Sequence, residues 1–156
     1  MPTEQPNELS KMPEDSSDSK RSPHILLIED DEEMLNMLSE ALMQEGYRVT
    51  KRMKAFDWIL YCIHNAGENM SFSPDDRFDA VVSDIRMPKM GGLEALRIIN
   101  ALNCAETCPP AIFITAFGDD ETHRMAEKLG DVEVLDKPFD VNDLIKKVQK
   151  LISSQI

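Results

Sequence analysis

Short apolar runs alternate with segments of helical periodicity along most of this chain. The first run, at residues 25–28, precedes a stretch at 34–42 whose apolar positions recur at helical spacing, and Gly46 stands where that helix is expected to end. The same order of strand and helix then repeats. We predict strands at residues 25–28, 47–53, 78–83, 111–115 and 132–135. Helices are predicted around residues 34–42, 56–63, 93–102, 119–129 and 141–152, with Asp140 as the cap of the last one.

The lengths of these elements determine how the strands pair. Short strands separated by helices of about ten residues or more need crossover connections, which produce a parallel sheet covered by helices on both faces. Because such crossovers are right-handed, the remaining arrangement is a doubly wound sandwich. The predicted fold class is therefore α/β, with a single domain at residues 23–153.

Two segments fall outside this pattern. Residues 1–22 contain many Pro, Ser, Asp and Glu residues and few apolar side chains, so we predict a flexible N-terminal tail. Residues 67–76 form a long connection between the second helix and the third strand, and we interpret them as a tolerated surface insertion. A docking or partner-specific role is the alternative for each segment.

Acidic residues come at the ends of two predicted strands. Glu29 and Asp30 follow the first strand, and Asp84 follows the third. Ligands of open α/β sheets bind at the carboxyl ends of the strands, so these three carboxylates are expected to converge. Each pair at about 4 Å repels by about 4 kcal/mol at an effective dielectric constant of about 20, and a divalent cation relieves that repulsion. The pattern indicates a Mg²⁺ site that handles phosphate.

The acidic residues, and also Lys137 and Thr115, could each have a purely structural role instead of a role in binding. Acidic residues before a helix are favoured by the helix dipole, and we assign that role to Asp31 and Glu32. Lys137 follows the fifth strand, where its ammonium group would balance the carboxylates, or it is an exposed turn lysine. Pro138 permits a cis peptide bond that would aim this lysine inward. Thr115 ends the fourth strand, where its hydroxyl would contact a phosphoryl oxygen or merely complete the strand.

Four short motifs occur in the chain in the order known from one protein family. They are Ile28-Glu29-Asp30, then Ser83-Asp84-Ile85-Arg86-Met87-Pro88 with Gly91-Gly92-Leu93, then Ile114-Thr115-Ala116, and then Lys137-Pro138-Phe139. Together they strongly resemble the receiver domain of two-component response regulators, over about residues 23–153. The resemblance implies a flavodoxin-like (βα)5 fold with a five-stranded parallel sheet.

The same resemblance implies a function. Asp84 would be the phosphoacceptor for a phosphohistidine of a sensor histidine kinase or a histidine phosphotransfer protein. Lys137 and Thr115 would contact the phosphoryl group, since phosphoryl transfer needs mainly positioning and charge neutralisation. The implied Mg²⁺ ligands are Glu29, Asp30, Asp84 and the backbone carbonyl of Arg86. The domain would assist its own phosphorylation and dephosphorylation without being a multiple-turnover enzyme, and would signal through altered contacts with a downstream protein.

One position of this chain, Val134, departs from the family pattern. Receiver domains commonly carry an aromatic residue three positions before the lysine, where this chain has Val134, so the sequence departs from the usual Thr–aromatic switch. The alternative function is therefore a pseudo-receiver that binds partners without phosphorylation.

Arg86 and Phe117 are bulky, lie two residues beyond Asp84 and Thr115, and are expected to flank the phosphoryl group and slow attack by water.

Other enzyme classes fit the sequence poorly. A haloacid-dehalogenase-type phosphatase needs a second Asp two residues after its nucleophile, and this chain has Arg86 at that position. A dinucleotide or flavin site needs a glycine-rich turn after the first strand, where this chain has acidic residues that would repel a pyrophosphate.

Composition limits the partners and the compartment that we expect. The formal net charge of −12 argues against direct nucleic-acid binding, and no apolar stretch approaches the roughly 20 residues of a membrane helix. No signal-peptide pattern opens the chain, so a cytoplasmic location is expected. We expect no effector domain after residue 153, because only three residues of the sequence follow it. Cys62, Cys104 and Cys108 cannot all pair with one another, and we expect reduced, structural thiols.

Overall fold

The computed structural model describes most of the predicted domain. The described residues are 22–66, 77–87, 89–102, 108–116, 120–129 and 132–154. The predicted tail at 1–22, apart from Ser22, and the predicted insertion at 67–76 therefore lie outside the described residues. Phe117 and Cys104 lie outside them as well.

Five parallel strands form a single sheet in the described part of the chain. The strands are β1 (His24–Ile28), β2 (Arg48–Arg52), β3 (Ala80–Asp84), β4 (Ala111–Ala116) and β5 (Val132–Lys137). The helices are α1 (Glu32–Gln44), α2 (Phe56–Ala66), α3 (Gly92–Ala101), α4 (Asp120–Leu129) and α5 (Val141–Ser153). All neighbouring strands are parallel, and their order is β2-β1-β3-β4-β5, which is the flavodoxin-like arrangement. The predicted doubly wound α/β fold is confirmed.

The sheet is buried between two apolar layers. Leu26 and Ile28 of β1 pack into one layer together with residues of α2 and α3. Ile25 and Leu27 point the other way, into a layer with residues of α1 and α5. Because both faces of β1 are covered, the strand is apolar at consecutive positions rather than at alternate ones. The core therefore holds the carboxyl end of β1 firmly in place.

The ends of two helices follow the sequence pattern. Asp31 is the N-cap of α1 and accepts a hydrogen bond from the amide of Met34 at 3.1 Å, as expected for its capping role. Asp140 caps α5 in the same way, with the amide of Asn142 at 2.8 Å. Gly46 follows α1 with a φ of 92°, in the left-handed region that favours glycine.

Two of the boundaries that differ from the prediction are the start of β3 and the end of α3. β3 begins at Ala80 rather than at residue 78, because the amide of Phe78 donates to the Tyr61 hydroxyl at 3.0 Å instead of joining the strand. α3 ends at Ala101, one residue before its predicted end, and Leu102 is its C-cap with 50% of its surface exposed.

The expectation of reduced thiols is wrong for two of the cysteines. Cys62 of α2 and Cys108, just before β4, form a disulfide with a Cα–Cα distance of 5.6 Å. Cys62 is fully buried and Cys108 packs against the same apolar layer, so the fold brings together residues separated by 46 positions in the sequence. Spacing along the chain contains no sign of this contact.

Candidate functional site

The strand register places the predicted site residues at one edge of the sheet. β1 and β3 pair so that Glu29, directly after β1, lies level with Asp84, the last residue of β3. Asp84 pairs with Ile114, the residue before Thr115. β5 continues to Lys137, two residues beyond its predicted end. The strand order reverses between β1 and β3, which is where ligands bind in open α/β sheets.

Three carboxylates form a compact group at this edge. One carboxylate oxygen from each of Glu29, Asp30 and Asp84 lies within 4.8 Å of the others. Glu29 and Asp84 are only 3% and 4% exposed, and Asp30 is more exposed than either. The predicted convergence of these residues is therefore what the structure shows, with two acids buried and the third nearer the surface.

Asp84 is held by two hydrogen bonds. Its Oδ2 atom accepts from the ammonium group of Lys137 at 2.8 Å, and its Oδ1 atom accepts from the backbone amide of Arg86 at 3.0 Å. The peptide bond between Lys137 and Pro138 is cis. Residues that lie 53 positions apart in the sequence thus form a direct ion pair. The carboxylate of Asp84 is fixed in position before any ligand binds.

Glu29 has a different electrostatic environment from Asp84. Its Oε1 atom accepts from the amide of Asp31 at 3.2 Å, while its buried Oε2 atom has no hydrogen-bond partner among the described residues. Burial, followed by the hydrogen bond and negative charge of Asp84, raises the pKa of Glu29 to about 8. Glu29 is therefore largely protonated at neutral pH when no cation is bound.

The charge of Lys137 is stabilised by the same acids. Partial burial by itself would lower the pKa of its ammonium group. The hydrogen bond and charge of Asp84, together with the charges of Glu29 and Asp30, outweigh burial and raise that pKa above its usual value. Lys137 is thus a stable cation beside the carboxylates rather than the exposed turn lysine of the alternative interpretation.

Thr115 lies at the same edge, one residue beyond the partner of Asp84. It is 1% exposed, whereas Ala116 after it is exposed. Its position in the register brings its backbone level with Asp136 of β5, the residue before Lys137. The structure therefore gathers Thr115 with the other predicted site residues at the carboxyl ends of β3, β4 and β5.

The connection after β3 is packed closely against itself. A Cβ atom on Gly91 would lie 1.7 Å from the carbonyl oxygen of Ile85, so only glycine fits there. Arg86 in this connection is exposed, and its backbone amide donates to Asp84. Phe117, which we predict to flank the site together with Arg86, lies outside the described residues.

One polar contact beside the site was missed in the sequence. His123 of α4 lies 2.8 Å from a carboxylate oxygen of Asp136, so a side-chain contact joins α4 to β5 next to Lys137. The sequence signal for this contact is the position of Asp136, an acidic residue between Leu135 and Lys137 at the end of β5. Helical periodicity alone does not say which strand residue His123 contacts.

The three carboxylates are suited to a Mg²⁺ ion. They supply closely spaced oxygen atoms, the donor type that Mg²⁺ prefers. The unpartnered Oε2 atom of Glu29 is a free ligand position, and the raised pKa of this residue shows how strongly the group favours an added positive charge. The residues present therefore fit the predicted ion.

Comparison with known proteins decides the family. The sequence matches the response regulator receiver domain over residues 25–149, the region that contains every predicted site residue. The chain belongs to this family. In the described part of this receiver domain, no helix combines the length and apolar character needed to cross a membrane.

Curated relatives of this receiver domain are longer regulatory proteins. It is 30% identical over 131 residues to the regulatory protein AtoC of Escherichia coli, covering 84% of this chain and 25% of AtoC. It is 30% identical over 129 residues to the transcriptional regulatory protein CrdR of Helicobacter pylori, covering 83% of this chain and 54% of CrdR. The chain spans between about a quarter and about half of the length of such relatives.

Solved receiver domains share the fold. A response regulator receiver domain from Clostridium thermocellum has a TM-score of 0.67 and 26% identity, over 85% of this chain and 96% of that one. The receiver domain of the Francisella response regulator 1452 has a TM-score of 0.70 and 22% identity, over 86% of this chain and all of that one. The second likeness shows the fold alone.

Proposed function

We propose that this receiver domain accepts a phosphoryl group on Asp84 from a phosphohistidine. The donor would be a sensor histidine kinase or a histidine phosphotransfer protein. The observation that supports the proposal is the position of Asp84, which bonds Lys137 directly and lies within 4.8 Å of Glu29 and Asp30 through their carboxylate oxygens. Membership of the response regulator family agrees with a phosphoacceptor role in a two-component system.

The proposed step is a phosphoryl transfer between nitrogen and oxygen. A carboxylate oxygen of Asp84 bonds to phosphorus, the bond from phosphorus to the imidazole nitrogen breaks, and that nitrogen keeps the electron pair. Lys137 then contacts an oxygen of the new acyl phosphate, since its ammonium group already lies 2.8 Å from Asp84. The buried hydroxyl of Thr115 is proposed to donate to another phosphoryl oxygen.

Mg²⁺ is the proposed cofactor. When bound, it supplies the positive charge that neutralises the phosphoryl oxygens and the neighbouring acids. We propose that Glu29, Asp30, Asp84 and the backbone carbonyl of Arg86 bind it. Since the pKa of Glu29 is about 8 in the metal-free state, binding the ion near neutral pH releases a proton from this side chain.

The output of phosphorylation is proposed to be a change in protein contacts. Movement of Thr115 toward the phosphoryl group would shift the balance between two arrangements of α4 and β5, which meet at the contact between His123 and Asp136. Asp84 is modified once per cycle, so we propose that the domain is a phosphorylation-dependent switch and not a multiple-turnover enzyme.

Val134 is the observation that favours a second candidate function, that of a pseudo-receiver. This residue occupies a half-buried position on β5, level with Phe113, where many receivers have an aromatic side chain. A pseudo-receiver that binds partners without phosphorylation would tolerate this change. The intact acids, Thr115 and Lys137 favour the phosphorylated form.

Intact-mass spectrometry distinguishes these two functions. The chain is incubated with acetyl phosphate or phosphoramidate, with and without Mg²⁺. We expect a gain of about 80 Da that requires Mg²⁺ and is lost in Asp84→Ala. Asp143→Ala, which removes an exposed acid in the first turn of α5, serves as the control and should keep the gain. No mass gain with either donor would favour the pseudo-receiver.

A further inference from the structure

The solvent-facing side of α2 is apolar over residues 56–63, the part of this helix whose side chains the structure describes. Among its described side chains, at residues 56–63, the exposed ones are Phe56, Leu60 and Ile63, which are 52%, 38% and 41% exposed. Their spacing by four and then three residues places them along one line of the helix. Met53, which is 49% exposed, lies in the short connection between β2 and α2, three residues before Phe56 in the sequence. We call Met53, Phe56, Leu60 and Ile63 the α2 apolar stripe.

The exposed side chains described for α4 and α5 are polar, and α1 and α3 expose only separate large apolar side chains at Met37, Met43 and Ile98. The exposed residues of α4 are Asp120, Glu121, Arg124, Glu127 and Lys128. Those of α5 are Asn142, Asp143, Lys146, Gln149, Lys150 and Ser153. An amphipathic helix of a globular domain normally turns such polar residues to water, and a contiguous exposed apolar surface marks an interaction site. The α2 apolar stripe is a surface of that second kind.

Positive charge borders one end of the α2 apolar stripe. Arg52 and Lys54 lie on either side of Met53 in the sequence, and both are exposed. The first turn of α2 adds the partial positive charge of a helix N-terminus, which half-buried Asp57 offsets in part. This cationic end belongs to a chain whose formal net charge is −12, so it contrasts with the charge of the molecule as a whole.

We propose that the α2 apolar stripe docks an amphipathic helix of a partner protein whose apolar face has acidic residues at one end. Helices that bind apolar surfaces use anchor residues at spacings of three and four, which is the spacing of the stripe itself. The acidic end of the partner helix lies against Arg52 and Lys54. This charge pairing fixes the direction in which the helix docks.

A second copy of this chain is a poorer occupant. In a symmetric pair of copies, Arg52 and Lys54 of each copy would meet a stripe whose own α2 carboxylate, Asp57, is half-buried. Two copies also carry a formal net charge of −12 each, which opposes their association. A partner with a locally acidic, amphipathic helix satisfies both the apolar and the charged part of the surface.

Two designed peptides test this proposal on the full chain. Both have the same apolar face, and they differ only in carrying three Glu or three Lys residues at one end. Binding is followed by backbone amide chemical shifts and calorimetry. We expect the Glu peptide to bind and to shift the amides of α2, and Leu60→Glu to weaken binding by about tenfold or more. The double variant Arg52→Glu and Lys54→Glu should bind the Lys peptide in preference.

A matched control separates this surface from apolar exposure in general. Met43→Glu introduces the same charge on α1 at a methionine that is 58% exposed, and it should bind the Glu peptide as the unmodified chain does. Far-UV circular dichroism and thermal unfolding show that each variant is folded. The proposal fails if neither peptide binds, if both bind equally, or if Leu60→Glu has no effect. It also fails if Leu60→Glu dissociates a dimer, or changes the shifts of residues 67–76 in a way that shows this segment covering the stripe.

Discussion

Asp84 and Glu29 are both buried acids, but they are stabilised in different ways. Asp84 has a cationic partner, because Lys137 donates to it at 2.8 Å. Glu29 forms no ion pair among the described residues; its Oε1 atom accepts from the amide of Asp31, its Oε2 atom has no hydrogen-bond partner there, and burial with the neighbouring Asp84 raises its pKa. The metal-free site therefore keeps one carboxylate paired with a cation and the other largely protonated, which limits repulsion between them.

The raised pKa of Glu29 predicts how stability depends on pH in the absence of metal. Its pKa is about 8 in the folded chain, against 4.5 for an ordinary Glu, so the folded state binds the proton more tightly. The resulting stabilisation is fully present below pH 4.5 and is lost as pH rises through about 8. In a metal chelator, the free energy of unfolding should therefore decrease between these pH values.

Urea denaturation of Glu29→Gln provides the comparison. Glutamine keeps the shape of the side chain but cannot ionise, so the loss of stability toward pH 8.5 should be smaller than in the unmodified chain. Glu40→Gln, at an exposed position of α1, should leave the pH profile unchanged. If the free energy of unfolding depended on pH in the same way in Glu29→Gln and in the unmodified chain, Glu29 would not be the origin of the pH dependence.

The side chain of Arg86 is predicted to slow loss of the phosphoryl group. It is exposed, two residues beyond Asp84, and bulky enough to restrict the approach of water. Arg86→Ala should shorten the lifetime of the phosphorylated chain in Mg²⁺ several-fold, and Phe117→Ala should act in the same direction. The decay is measured by intact mass after removal of the donor. An unchanged decay rate in both variants would refute this role.

At the scale of elements, the sequence predicts the strands and helices well, because each strand of a parallel sheet is a short apolar run and each helix repeats its apolar face. The caps at Asp31 and Asp140 were predictable for the same local reason. Features that depend on distant packing were not. The start of β3 at Ala80 rather than at Phe78 depends on Tyr61, and the disulfide depends on α2 meeting the start of β4.

The candidate site depends partly on local sequence patterns and partly on packing between distant residues. The positions of its residues at strand ends follow from local patterns, so convergence of Glu29, Asp30 and Asp84 could be predicted. Their protonation could not, since it depends on how deeply each side chain is buried and on which one pairs with Lys137. The contact of His123 with Asp136 likewise requires the packing of α4 on β5.

The connection between β3 and α3 predicts a contrast between two glycine variants. A methyl group on Gly91 would overlap the carbonyl of Ile85, so Gly91→Ala must move the backbone beside Asp84. Gly46 has no atom within 4 Å of such a methyl group, and its substitution costs only about 1 kcal/mol for its positive φ.

Both variants are compared by urea denaturation and by phosphorylation with acetyl phosphate. Gly91→Ala should lose more stability than Gly46→Ala and should also be phosphorylated more slowly. Gly46→Ala should keep the normal phosphorylation rate, because Gly46 follows the C-terminal end of α1. Glu29 and Asp30 of the site precede the N-terminal end of this helix, which is 13 residues long. Equal phosphorylation rates for the two variants would show that the connection after β3 does not position Asp84.

At the scale of the whole molecule, the site joins separate parts of the fold. Its acids come from the ends of β1 and β3, and its lysine comes from the end of β5. A cation bound there would add a link between elements that already meet through strand pairing and through the ion pair of Lys137 with Asp84. Binding to the folded state alone stabilises it by about 2.7 kcal/mol at a ligand concentration one hundred times the Kd.

We therefore predict that Mg²⁺ raises the stability of the entire domain. The midpoint of thermal unfolding should increase with Mg²⁺ at constant ionic strength, and the increase should be much smaller in Asp30→Asn. Asp143→Asn, an exposed acid of α5, is the control and should respond as the unmodified chain does. An equal response of Asp30→Asn would place the ion elsewhere.

The most direct measurement of the central claim is the location of the modified side chain. After phosphorylation by acetyl phosphate in Mg²⁺, borohydride reduces an aspartyl phosphate to homoserine, which peptide mass spectrometry assigns to one position. The account predicts homoserine at position 84 alone and none when the donor or Mg²⁺ is omitted. Homoserine at another acid, such as Asp30, with residue 84 unchanged, would contradict it.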